Sequence, residues 1–114
     1  MATEIQTALL NEDPALREIV RRLADAYSPV RIYLFGSKAR GDYGPDSDYD
    51  LLVVVPDDAP PERRRSRLAY QSLWGTGEAA DVLVCTDSWF NSRASVVTSL
   101  PATVVGEGKL LYAA

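Results

Sequence analysis

Apolar residues between positions 13 and 29 recur at the spacing of one helix face. The apolar positions are Leu16, Ile19, Val20, Leu23, Ala24 and Tyr27. Asp13 and Pro14 form a suitable N-cap and first helical position, and Pro29 bounds the end. The pattern predicts an amphipathic helix that packs on other elements.

Three short apolar runs predict β-strands at Val30–Phe35, Asp50–Val55 and Asp81–Cys85. Each run is rich in β-branched or aromatic residues and is bounded by Gly, Pro or Asp. The segment Leu51–Val55 is apolar at every position, so both of its faces must be covered. It is therefore predicted to be a central strand of a sheet.

Weaker patterns predict the remaining elements. Helices are expected at Glu62–Trp74, after a cap at Asp87 or Ser88, and at Pro101–Gly108, and a last strand at Lys109–Tyr112. The order α, β, β, α, β, α, α, β indicates an α/β (α+β) fold, with a small mixed sheet flanked by helices. A chain of 114 residues is expected to form a single domain, residues 1–114.

Composition narrows the function classes. The chain has no histidine, which excludes Ser-His-Asp and Cys-His catalysis and His-ligated zinc. The net charge of −4 argues against strong nucleic-acid binding. No apolar run approaches the roughly 20 residues of a membrane span, so no membrane association is expected. The single cysteine, Cys85, stands in the apolar context VLVCT and favours a buried thiol in a reducing compartment, the cytoplasm.

Two aspartates, Asp48 and Asp50, stand one residue apart where the second apolar run begins. In extended backbone they point to the same side, where two carboxylates repel unless a cation lies between them. Mg²⁺ or Mn²⁺ suits such oxygen ligands. Asp81 opens the third strand and joins them if that strand lies beside the second. Three such carboxylates can hold two metal ions roughly 4 Å apart, as in phosphoryl transfer.

A second feature, Gly36-Ser37, follows the first predicted strand. Glycine lets backbone approach a ligand closely, and a turn that enters a helix offers free N–H groups to an anion. Lys38 and Arg40 add positive charge nearby. A phosphate cradle facing a metal site indicates a nucleoside triphosphate bound with its metal.

Each feature is weak when taken alone. A Gly-Ser pair after a strand is usually only a turn, a D-x-D beside Gly and Pro is usually solvated, and Asp81 by itself could be a surface residue. Their joint occurrence in this order along the chain is much more specific.

The run GSKARGDYGPDSDYDLLVVV resembles the signature of minimal nucleotidyltransferases (MNT) of the DNA polymerase β superfamily. That signature is Gly-Ser, ten residues, then Asp-x-Asp, and Gly36-Ser37 and Asp48-Tyr49-Asp50 match it without a gap. The segment ADVLV resembles the strand of the third carboxylate, which gives Asp81 that role. The segment GEGKLLY resembles the closing part of the family. The resemblance implies a polymerase β-type palm fold.

The resemblance also implies an activity, the transfer of AMP from ATP to an acceptor with release of pyrophosphate. Asp48, Asp50 and Asp81 would then be the catalytic and metal-binding residues, with two Mg²⁺ ions, or Mn²⁺. The nucleotide would be held by Gly36 and Ser37, with Lys38 and Arg40 beside them. Stand-alone members are commonly antitoxins that AMPylate a tyrosine of a HEPN-type toxin, which predicts a hetero-oligomer with such a partner.

Two other functions remain open. The chain could neutralise a partner by contact alone, with a vestigial site, or it could be an aminoglycoside-type resistance enzyme, which the short chain disfavours. The run ERRRSR, residues 62–67, could touch RNA or an acidic partner or could be a solvated helix face. Trp74, Trp89 and Phe90 could be partner anchors or core residues.

Overall fold

A four-stranded sheet with helices on both faces forms the fold. The computed structural model describes residues 4–44 and 47–114. The strands are β1 (Arg31–Phe35), β2 (Tyr49–Val55), β3 (Ala80–Thr86) and β4 (Lys109–Ala113). The helices are α1 (Thr7–Glu12), α2 (Pro14–Tyr27), α3 (Gly36–Arg40), α4 (Arg67–Ser72), α5 (Asp87–Arg93) and α6 (Leu100–Glu107), with a 3-10 helix at Pro61–Arg64.

The sheet is mixed, with the strand order β3-β2-β1-β4. β1 runs antiparallel to β2 and β4, whereas β2 and β3 are parallel and are connected through the 3-10 helix and α4. Residues 51–55 of β2 are each at most 1% exposed, which confirms the predicted central strand.

The predicted amphipathic helix is confirmed as α2, and it covers one face of the sheet. The Asp13 carboxylate accepts the N–H of Leu16 at 3.1 Å, so the N-cap stands where the sequence predicts it. Leu16, Ile19 and Leu23 are fully buried against the sheet. Burying each such side chain stabilises the folded state by about 2 kcal/mol, so this layer is the main source of stability.

The opposite face of the sheet carries a smaller apolar layer. Phe90 of α5 and Val104 of α6 pack there on Tyr33, Leu52 and Val54. α5 and α6 contact each other and strands β1, β2 and β3. The predicted closing helix and closing strand are thus confirmed within one or two residues at each end.

Two details of the helices differ from the sequence predictions. A single helix over 62–74 is wrong, because Arg65 is extended and separates the 3-10 helix from α4. Its carbonyl accepts the hydroxyl of buried Tyr27, a long-range contact that local patterns do not encode. The cap of α5 is Thr86, whose hydroxyl accepts the N–H of Trp89, and neither Asp87 nor Ser88 serves as the cap.

Within 4–44 and 47–114, no helix has both the length and the apolar composition needed to cross a bilayer.

An exposed ion cluster on α2 makes stability depend on pH. Hydrogen bonds from Arg21 and then Arg22 lower the pKa of Glu18 to about 2. A carboxyl with a lowered folded pKa stabilises the fold above its unfolded value near 4.5 and loses that contribution as pH falls toward 2. Glu18→Gln should therefore lower the melting temperature at pH 7 and have a smaller effect at pH 3.

Thermal denaturation at both pH values checks this expectation, with Glu12→Gln as the control. Glu12 makes no salt bridge with the part of the chain that the structure describes. The same loss for Glu18→Gln at pH 7 and pH 3 would contradict the account.

Candidate active site

Two of the predicted site aspartates are neighbours across the sheet. Asp50 of β2 is the register partner of Asp81 of β3, and parallel neighbours present paired residues on the same face, with strands about 4.8 Å apart. Asp48 lies just before β2, which begins at Tyr49, and is exposed. The structure therefore pairs Asp50 with Asp81 at the end of the sheet where β2 and β3 begin, and it places Asp48 at the same end of β2.

The electrostatics of Asp50 reflect this crowding. Burial, followed by the negative charges of Asp81 and Asp48, raises the pKa of the Asp50 carboxyl, while the positive charge of Arg40 acts in the opposite direction. The neutral form of Asp50 is thus favoured relative to a free carboxyl. A cation placed among these groups would reverse that preference.

Gly36 lies directly against Asp50. The register pairs Phe35 with Asp50, so the next residue, Gly36, turns the chain beside the carboxylate. A Cβ built on Gly36 would lie 2.2 Å from Asp50 Oδ2, and the φ of Gly36 is +73°. Both the space and the backbone conformation therefore require glycine at this position.

The other predicted nucleotide-binding residues lie on α3, which is five residues long. The Ser37 carbonyl accepts the N–H groups of Gly41 and Asp42, which closes the helix. The Arg40 guanidinium pairs with Asp42 at 3.2 Å and with Glu107 at 3.5 Å. Arg40 is thus held close enough for its charge to act on Asp50.

Lys38 is placed differently from these residues. Its ammonium lies over the rings of Tyr43 and Tyr49, at 4.6 and 4.3 Å from the ring centroids. Tyr49 belongs to the core layer on the α2 side of the sheet, whereas Asp50, the next residue, faces the other side. In this conformation the structure does not bring Lys38 together with the carboxylates.

One supporting contact was not predicted from the sequence. The Tyr49 hydroxyl donates to the Asp13 carboxylate at 2.9 Å, and burial and this carboxylate raise the pKa of Tyr49. Asp13 is also the N-cap of α2, so the strand that carries the aspartates is tied to the start of that helix. The alternation of side chains could have revealed that Tyr49 points into the core, but not its partner.

Removing the Tyr49 hydroxyl should lower the stability of the fold without altering the three site aspartates. We expect Tyr49→Phe to lower the free energy of unfolding by about 1–3 kcal/mol, because a hydrogen bond to a charged, partly buried acceptor is lost. Urea denaturation measures this change. The matched control Tyr70→Phe removes an exposed hydroxyl that makes no hydrogen bond in the described chain and should leave stability unchanged. Equal losses in the two variants would contradict the role given to Tyr49.

The acidic side chains of the site provide oxygen donors of the kind that bind Mg²⁺. Across residues 4–44 and 47–114, no group of three or more His, Cys, Asp or Glu side chains is arranged to enclose an ion. Mg²⁺ is commonly held by only one or two carboxylates together with waters and substrate phosphates. The all-oxygen donor set of Asp48, Asp50 and Asp81 fits such a shared site, and it does not fit a closed protein cage.

A family comparison supplies the identification. The model of the nucleotidyltransferase domain family matches residues 16–107, which contain both sequence motifs and all three aspartates. The chain belongs to the nucleotidyltransferase domain family. The resemblance inferred from the motifs is thus confirmed, as is the mixed α+β fold it implies. Pro45 and Asp46, between the two motifs, lie outside the described residues.

Individual proteins resemble this nucleotidyltransferase over most of its length. A protein of Methanocaldococcus jannaschii named as a candidate protein adenylyltransferase is 33% identical over 105 residues, which cover 90% of this chain and 100% of the relative. A solved toxin–antitoxin complex with AMP-PNP is similar at a TM-score of 0.58 and 27% identity, covering 86% of this chain and 73% of the other. The MntA–HpeT toxin–antitoxin complex, solved as a variant, is similar at a TM-score of 0.60 and 25% identity, again covering 86% of this chain and 73% of the other.

Proposed function

We propose that this nucleotidyltransferase transfers AMP from ATP to a tyrosine hydroxyl of a HEPN-type toxin and thereby acts as its antitoxin. The observation that carries the proposal is the pairing of Asp50 with Asp81 directly beside the glycine turn at Gly36. The relative named as a candidate protein adenylyltransferase and the similarity to toxin–antitoxin complexes support it.

Each site residue has a defined task in this proposal. The β and γ phosphates approach the backbone of Gly36 and Ser37, where Gly36 has no side chain between the backbone and the Asp50 carboxylate, and Arg40 adds positive charge near Asp50. Asp48, Asp50 and Asp81 would together hold two metal ions, either Mg²⁺ or Mn²⁺. Bound in this way, the metal supplies neutralisation of charge on the α phosphate and on the leaving group.

The reaction is a displacement at the α phosphorus. The acceptor oxygen forms a bond to that phosphorus, and the bond to the bridging oxygen of the β phosphate breaks, so that pyrophosphate leaves with the electron pair. Asp81 takes the hydroxyl proton and passes it to solvent. A phenol, with a pKa near 10, is the hydroxyl side chain that loses its proton most readily, which favours tyrosine as the acceptor.

Nucleotide binding should depend strongly on the metal. We expect ATP to bind more than about tenfold more tightly with Mg²⁺ than in EDTA, because Asp48 and Asp50 repel the bare triphosphate. Isothermal titration calorimetry in both conditions measures the difference. Equal affinity in the two buffers would remove these carboxylates from the nucleotide site.

Labelled ATP tests which bond breaks. The chain is incubated with a purified HEPN-type protein, Mg²⁺, and ATP labelled at either the α or the γ phosphate. We expect the α label on the partner and the γ label in pyrophosphate. Transfer of the γ label instead would indicate a kinase. A partner that is inhibited without any label would favour the contact-only module.

A further inference from the structure

A groove of about 630 Å³ lies on the same face of the sheet as the acidic site. Its floor includes Leu52 and Leu83, and Trp89 and Leu100 also line it. Leu52 and Leu83 stand two residues beyond Asp50 and Asp81 on the same strands, so they share their face at a separation of roughly 7 Å. The groove is therefore one pleat away from the carboxylates.

The floor of the groove is apolar and accessible. Leu83 is 43% exposed and Trp89 is 36% exposed, although both are large hydrophobic side chains. β3 is the last strand on its side of the sheet, so within the described chain no strand pairs with its outer edge. Exposed apolar residues beside an unpaired edge are typical of a surface that binds an extended segment.

Positive charge surrounds this apolar floor. Arg64 and Arg65 line the groove, and the guanidinium of Arg93 lies 4.7 Å from the centroid of the Trp89 ring. In the ranges 4–44 and 47–114 none of these three arginines forms a salt bridge. Arg64 is nevertheless held in place, because it donates to the carbonyls of Ala59 at 2.6 Å and Asp57 at 2.9 Å.

Among the residues that line the groove, two are arginines and none carries a carboxylate. Of the acidic residues at its border, Asp57 accepts the N–H of Ser88, and Asp87 pairs with Arg31 at 2.7 Å. In a chain of net charge −4, the lining of the groove thus carries excess positive charge. It therefore complements an acidic ligand.

We propose that the groove docks an acidic, partly apolar segment of the protein that accepts the nucleotide. Carboxylates of the segment pair with Arg64 and Arg65, and an apolar side chain packs on Leu83 and Trp89. The segment then presents a hydroxyl two or three residues away to Asp50 and Asp81. This inference rests on the proposed function, since it names how the acceptor of that site is held.

A polypeptide fits these features better than RNA does. The carboxylates one pleat away repel a continuous phosphate chain, whereas a peptide can carry its charge only where the arginines stand. The exposed apolar floor also suits side chains, because burial of apolar surface stabilises a complex.

The test measures docking separately from transfer. Affinity for a purified HEPN-type protein is determined by biolayer interferometry without ATP. Arg64→Glu/Arg65→Glu should weaken binding at least about tenfold, the effect of losing close charge pairs, and Leu83→Ser should weaken it similarly. The matched control is Arg63→Glu/Arg67→Glu, which makes the same charge change in the same run outside the groove and should bind as wild type does.

The readouts keep the two proposals distinguishable. Calorimetric affinity for MgATP should be unchanged in Arg64→Glu/Arg65→Glu, so a loss there would assign the arginines to the nucleotide site and overturn the docking proposal. Equal losses in both charge reversals would show a general charge effect and also overturn it, as would the absence of binding by wild type. A ten-nucleotide oligouridylate that binds through Arg64 and Arg65 more tightly than polyglutamate would replace the acidic segment with RNA. Docking that persists without any AMP transfer would overturn the proposed function and leave the docking of the segment supported.

Discussion

Asp50→Asn should abolish AMP transfer, with a loss of at least about 10²-fold in rate, because under the proposed function it removes a charge that would position the metal and the α phosphate. The same variant should be more stable than wild type in EDTA at pH 7. Burial and the charges of Asp81 and Asp48 raise the pKa of Asp50, so its ionised form destabilises the metal-free fold.

The stability gain has a defined pH dependence. A carboxyl with a raised folded pKa loses its destabilising effect as pH falls through that value, so the advantage of Asp50→Asn should shrink on acidification. Transfer assays and thermal denaturation are compared with Asp58→Asn, an exposed carboxylate outside the site. Full transfer by Asp50→Asn would end the assignment, and equal behaviour of the two variants would show that Asp50 is an ordinary surface residue.

Gly36→Ala should lose both nucleotide binding and transfer. The new methyl group would lie 2.2 Å from Asp50 Oδ2, so the carboxylate must leave the position it holds beside Gly36. Backbone strain at the φ of +73° should also lower the free energy of unfolding by about 1–2 kcal/mol. Calorimetry with MgATP and urea denaturation measure the two effects.

Gly41 supplies a matched control for this variant. It also has a positive φ, +85°, but a Cβ built there meets nothing within 4 Å. Gly41→Ala should therefore show a similar loss of stability and retain MgATP binding. If both variants lost nucleotide binding equally, the close approach of Gly36 to Asp50 would not be the reason.

The sequence predicts the elements that carry the site because their signals are local. Uniform apolarity locates β2, and the motif places Gly36 at the end of β1 and Asp50 at the start of β2. Asp50 and Asp81 are predicted to be neighbours only on the further assumption that the third strand lies beside the second. The parallel register of β2 and β3 confirms it.

Contacts between distant segments could not be predicted in this way. Proximity in sequence predicts that Lys38 stands beside the phosphate cradle, yet its ammonium lies over Tyr43 and Tyr49. The sequence predicts one helix through the arginine run, but the run is divided at Arg65, whose carbonyl accepts the hydroxyl of Tyr27. Both outcomes depend on which surfaces meet in the folded chain, and a single sequence carries no direct record of that.

Intact-mass spectrometry of the partner tests the central claim most directly. After the HEPN-type partner is incubated with this chain and MgATP, its mass should increase by about 329 Da for each AMP transferred. It should stay inactive once this chain is removed, and the parallel sample with Asp50→Asn should show no gain. A partner of unchanged mass that Asp50→Asn inhibits as fully as wild type does would contradict the account and establish inhibition by contact alone.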